Sequence, residues 1–145
     1  MALVIALIES TDQALRIGHC LEDGGHRMII IDNFRKAKAL LLETPCDLII
    51  SDVHLENGGS VFDFLKWVKS KPQLLSIPFV LISLEPTKTA KYLADGVRLA
   101  ARVFGAARYI SIDVFDPVFL LKELAEYLPK IDSSDVLPNK QEKGE

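Results

Sequence analysis

Four places in the chain set a carboxylate or a hydroxyl at the end of a short apolar run. They are Glu9-Ser10 after LVIALI, Ser51-Asp52 closing DLIISD, Ser83 closing FVLIS, and Ser111-Ile112-Asp113 in RYISID. An acid after a strand is commonly a helix cap or a loop solubiliser, and Glu9 taken by itself reads that way. Asp52 is different, because it ends a buried run and faces the loop HLENGG. A carboxylate so placed suits a nucleophile or a metal ligand. Carboxylates attack phosphoryl groups to give aspartyl-phosphates. Magnesium fits such a site, being hard and octahedral and held by one or two carboxylates plus the phosphate itself. Phosphoryl transfer then needs mainly positioning and charge neutralisation, so few protein groups suffice.

These residues act together only if the chain gathers them. Five apolar runs, Leu3–Ile8, Met28–Ile31, Asp47–Ser51, Phe79–Ser83 and Arg108–Ile112, are rich in Ile and Val and nearly continuous rather than alternating. That pattern predicts strands buried on both faces, as in a parallel sheet covered by helices. The intervals carry helical periodicity. From Asp12, Ala14, Leu15, Ile17, Gly18 and Leu21 share a face, with Ser10, Thr11 or Asp12 available as N-cap and Gly24-Gly25 as the stop. Further helices are expected over Phe34–Leu42, from Ser60, over Thr87–Phe104, and from Asp116-Pro117 through Leu128. Five β-α units predict an α/β, doubly wound, five-stranded parallel sheet in a three-layer sandwich. Right-handed crossovers place every strand's carboxyl end along one edge, where such folds bind ligands. The expected domain is residues 1–129, and the polar, aperiodic stretch 130–145 reads as a disordered tail.

Composition narrows the function classes. The 145 residues are 49% hydrophobic and 26% charged with a formal net charge of −3, which suits one domain and offers no basic footprint for nucleic acid or an anionic membrane. Cys20 and Cys46 lie far apart with no CxxC, so each reads as a small buried apolar residue in a reducing compartment rather than part of a disulfide or zinc framework. The run Ala2–Ile8 is too short to span a bilayer and lacks a basic n-region, so a cytoplasmic location is expected. No G-x-S-x-G, P-loop or G-x-G-x-x-G is present, and His19, His26 and His54 fall in separate segments. Trp67 reads as packing or a surface contact, and Arg35-Lys36-Lys38 as a solvated helix face.

Read together, ALIES, PCDLIISDVHLENGGSVFDFL, IPFVLIS, GAARYIS and FDPVFLLKEL resemble the response-regulator receiver domains of two-component signalling, over roughly residues 3–128. The resemblance implies the flavodoxin-like strand order 2-1-3-4-5, an order for which a chemotaxis receiver is a standard example. It makes Asp52 the phosphoacceptor and Ser83 the hydroxyl that follows the phosphoryl group. It makes Tyr109 an aromatic switch, although a half-buried strand aromatic explains that residue equally. Glu9, Asp52 and the backbone carbonyl of His54 become ligands of a magnesium ion. The implied partners are a histidine kinase or phosphotransfer protein, a downstream protein target and a second copy of the chain, with no nucleic acid and no membrane. The domain is then a phospho-accepting signalling module in the cytoplasm rather than an enzyme.

Three departures from the family pattern stand in the sequence. Ser10 occupies the second position of the acidic metal pair, which removes a formal charge and predicts weaker magnesium binding, with the hydroxyl or a water as a substitute ligand. The family's Lys-Pro after strand five is missing. Counted from Tyr109 the lysine position holds Ile112, and counted back from FDP it holds Asp113. Lys88 is a candidate replacement cation. The span from Ser83 to Gly105 exceeds that of a chemotaxis receiver by about seven residues, roughly two helical turns at about 3.6 residues each. These departures leave two readings open. One is a phosphorelay receiver signalling through the face formed by its fourth helix, fifth strand and last helix. The other is a phosphorylation-independent pseudo-receiver that docks proteins. A third comes from Asp52-Val53-His54 before Gly58-Gly59, which resembles the Asp-x-His-x-x-Gly loop of cobalamin-binding domains with the histidine on cobalt.

Overall fold

Each apolar run becomes a strand and each periodic interval a helix. In chain order they are β1 (Leu3–Leu7), α1 (Thr11–Asp23), β2 (Arg27–Ile31), α2 (Phe34–Glu43), β3 (Leu48–Asp52), α3 (Val61–Ser70), β4 (Phe79–Leu84), α4 (Lys88–Val103), β5 (Arg108–Ile112) and α5 (Pro117–Leu124). The computed structural model describes residues 2–53 and 60–128. The expected tail 130–145, together with His54 and Gly58-Gly59, lies outside the described residues.

All strand pairs are parallel and the order is β2-β1-β3-β4-β5, the doubly wound arrangement that the β-α repeat predicts. Pleat alternation divides the core between two faces. Val4, Ala6, Leu48, Ile50, Ile82 and Ile110 turn toward α1 and α5. Ile5, Leu7, Ile49, Phe79, Leu81 and Tyr109 turn toward α2, α3 and α4. On the second side Phe64 stacks on Phe34 at 4.9 Å between ring centroids and tilts against Phe79 at 5.8 Å. Residues buried this fully each contribute about 1.5–3 kcal/mol relative to exposure.

The helix starts follow from local chemistry. Ser10, Asn33, Ser60, Thr87 and Asp116 each accept a backbone N–H of their helix's first turn. Such caps are worth about 1 kcal/mol apiece. Gly105, at φ +100°, turns the chain out of α4 in a left-handed conformation that a side chain would resist.

Three expectations need correction. β2 is not fully buried on either face: it is the sheet's edge, with Ile30 43% exposed, while Met28 packs partly buried toward α1 and Ile31 partly buried toward α2. The last helix does not run through Leu128, since its α-helical hydrogen bonding stops at Leu124 and Ala125–Tyr127 tightens into a 3-10 turn that still buries Leu128. Cys46 is half-buried rather than buried, and both cysteines are free. The helix expected over Thr87–Phe104 does form, as the unbroken 16-residue α4.

Candidate functional site

Because all strands run the same way, their carboxyl ends share one edge, and the strand order reverses between β1 and β3. Doubly wound sheets bind ligands at that crevice. The register sets Leu7 beside Ser51, Asp52 beside Ile82 and Ser83 beside Ser111. Glu9, Ser10, Asp52 and Ser83 therefore line one open cavity of about 470 Å3, joined by Gln13 and Glu85.

Asp52 is the half-buried acid at the end of β3. Its carboxylate accepts the Glu9 backbone N–H at 3.1 Å. Burial pushes its pKa up to about 6; the Glu9 N–H pulls the other way and the Glu9 charge adds to the rise. At neutral pH the group is still mostly ionised, and its charge is poorly solvated. A cation brought to the cavity would relieve both burial and the repulsion from Glu9. Magnesium fits that need through two carboxylates and water. Among the described residues no group of three or more His, Cys, Asp or Glu side chains stands together to hold an ion, so the remaining ligands would be neutral oxygens. Ser10 offers one, although its hydroxyl already accepts the Gln13 N–H at 3.2 Å as the α1 cap.

The other sequence candidates divide. Ser83 is 8% exposed on the cavity wall. Tyr109 is buried too, but away from the cavity: it packs on the α2-α3-α4 side beneath the Arg98 guanidinium, 5.2 Å from the ring centroid. There it lines a separate hollow of about 340 Å3 with Arg98, Arg102 and Arg108. His54 lies outside the described residues, and the cobalamin resemblance rests on that same loop. At the lysine position Ile112 is buried toward α1 and α5, while Asp113 pairs with Lys91 at 3.3 Å. Lys88 is exposed and does not line the cavity.

Three residues of the site carried no motif in the sequence. Gln13 donates to the Leu84 carbonyl at 3.2 Å and fixes α1 against the end of β4. Glu85 follows β4 at φ +50° and binds Arg16 through two hydrogen bonds of 2.7 and 3.4 Å. Those bonds hold the Glu85 pKa below the ordinary range, and the Phe115 backbone N–H adds to the effect. Glu85 carried the same signal as Glu9, an acid just past a strand. Arg16 had none beyond sharing a helix face with Asp12 and Gln13.

No protein-family profile and no curated protein sequence matches the chain. Solved structures do match. The chemotaxis response regulator CheY4 of Vibrio cholerae is 27% identical with a TM-score of 0.73, covering 88% of this chain and 99% of that one. The signal receiver domain of a signal transduction histidine kinase from Syntrophus aciditrophicus is 24% identical with a TM-score of 0.71, over 99% of this chain and 98% of that one. NtrX from Brucella abortus is 20% identical with a TM-score of 0.74, and the match spans 88% of this chain but 26% of that longer protein. Among the described residues no helix is long and apolar enough to cross a membrane. With the 2-1-3-4-5 sheet, the acidic crevice at its switch point and these neighbours, the chain has the fold of the receiver domains of two-component response regulators and is similar to them over most of its length.

Proposed function

We propose that Asp52 accepts a phosphoryl group from a histidine kinase or phosphotransfer protein, and that the domain passes the signal to a protein target through α4, β5 and α5. The observation that carries this reading is the convergence of a half-buried, poorly solvated carboxylate, a second acid and a buried hydroxyl on one cavity. A carboxylate oxygen of Asp52 forms a bond to phosphorus while the donor's bond to phosphorus breaks, and the leaving group takes up a proton from solvent. The Glu9 N–H orients the Asp52 carboxylate, and the Ser83 hydroxyl donates to a phosphoryl oxygen once the group is in place. A magnesium ion, when bound, supplies charge neutralisation. Glu9 and Asp52 are its carboxylate ligands, Ser10 or water fills a further position, and the His54 carbonyl is the ligand that the family resemblance adds. The chain carries the group and relays it rather than turning over a substrate. Its output is a shift between two surface states, because the phosphoryl group contacts Ser83 in one of them alone.

One observation favours a second reading. Ile112 is buried and Asp113 is tied to Lys91, so neither residue at the lysine position offers a cation to a phosphoryl group. A pseudo-receiver that docks proteins without phosphate has no use for one. Incubation with acetyl phosphate and magnesium, followed by intact-mass and peptide mass spectrometry, separates the two. Slow or partial addition of one phosphoryl group, lost in Asp52→Asn, supports phosphorelay. Absence of label on the wild type overturns it in favour of docking alone.

A further inference from the structure

We infer that Arg16 takes the place of the missing lysine, leaving Glu85 for the phosphoryl group when Asp52 is modified; this rests on the phosphoacceptor reading above. The cavity is lined by three carboxylates, Glu9, Asp52 and Glu85. A phosphoryl dianion placed there needs a cation to stay, and β5 does not provide one. Arg16 is already bound to a wall of the cavity. Its Nη2 donates to Glu85 Oε1 at 2.7 Å and its Nη1 to Oε2 at 3.4 Å, while Asp12 lies 3.2 Å from Nη2. Gln13, nearly one turn earlier on the same helix, lines the cavity itself. The Arg16 Nε is buried without a hydrogen-bond partner, so the guanidinium keeps a spare donor in its present position. Guanidinium groups suit bidentate binding of phosphate oxygens.

The exchange has a built-in output. Glu85 sits in the left-handed region at φ +50°, a conformation that a non-glycine residue keeps only when its surroundings hold it there. What holds it is Arg16 from α1 and its own N–H, donated to the Ile112 carbonyl at 2.7 Å. The Arg16 guanidinium also stacks over the Phe115 ring at 5.2 Å. Drawing Arg16 toward a phosphoryl group removes the strongest of these ties. The links from β4 to α4 and from β5 to α5 are then free to rearrange together, which couples the modified carboxylate to the proposed signalling face.

The test compares the rate of acetyl-phosphate labelling at Asp52, with magnesium present, in the full chain and its variants. Arg16→Ala slows labelling about tenfold, as expected for a lost charge-assisted hydrogen bond. Arg16→Lys keeps most of the rate. Glu85→Gln raises it, because it frees Arg16 and removes an acid from the cavity. The opposite signs are decisive, since a pair that merely braces the fold suffers alike from loss of either member. Equal slowing by Arg16→Ala and Glu85→Gln, or no effect of either, overturns the inference while the Asp52 reading stands. Absence of label on the wild type removes both.

Discussion

Replacing Asp52 with asparagine should stabilise the fold at neutral pH, and by an amount that depends on pH. The carboxyl rises from an ordinary 3.8 to about 6, chiefly because burial strips its solvent. At about 1.36 kcal/mol per pKa unit the ionised form carries a penalty of roughly 3 kcal/mol. The cavity mouth is open, so solvent reduces this to about 2 kcal/mol. The amide oxygen of the introduced asparagine would still accept the Glu9 N–H, so the variant loses the charge and keeps the bond. The native state binds the Asp52 proton more tightly than the unfolded chain does. Wild-type stability attributable to this group therefore falls as pH rises from about 4 to about 6, and stays low above that. Urea unfolding in EDTA reads the effect. With a slope of about 2 kcal/mol per molar, Asp52→Asn should move the midpoint up by about 1 M at pH 7. At pH 4 and below the gain should shrink toward nothing, because the wild-type carboxyl is then protonated in the native state. Equal midpoints at pH 7, or a gain of the same size at pH 4, would refute the account of Asp52 as a desolvated acid.

Other outcomes follow from the same geometry. Millimolar magnesium should raise the wild-type unfolding midpoint and leave Asp52→Asn unmoved, since binding to the native state alone stabilises by mass action; calorimetry on both proteins checks it. Ser83→Ala should slow acetyl-phosphate labelling several-fold while unfolding free energy stays within about 1 kcal/mol, because one donor is lost from a site at the cavity wall. Phe64→Ala should cost about 4 kcal/mol in urea unfolding, as it empties the stack between Phe34 and Phe79. Gly105→Ala should cost about 1 kcal/mol or more, since φ is +100° and the new Cβ would lie 3.3 Å from the Lys69 side chain.

The fold is legible in the sequence because its signals are local and repeated. DLIIS and FVLIS are too short and too continuous to be helices, and Ser10, Asn33, Ser60, Thr87 and Asp116 mark the helix starts by their own side-chain chemistry. Periodicity does not say which strand lies at the edge, which is why β2 departs from expectation: MIII reads the same in the middle of the sheet or at its open flank. For the site, parallel topology alone carries Glu9, Asp52 and Ser83 to one edge. Arg16 and Glu85 are hidden for a physical reason. Their pairing joins α1 to a turn 69 residues later, and neither residue type nor spacing encodes an ion pair across that distance. Tyr109 is the intermediate case: its position on a strand allows for burial, but its place beneath Arg98 depends on how α4 lies against β5.

The two hydrophobic clusters on opposite faces of the sheet meet at the strands themselves. β3 sends Leu48 and Ile50 into one and Ile49 into the other, then ends at Asp52. A pull on that terminus is thus shared by both halves of the interior at once, whereas damage to a single helix is confined to its own side. Ligand affinity and global stability should consequently be inseparable for changes along this central strand, and separable for changes in α2 or α5.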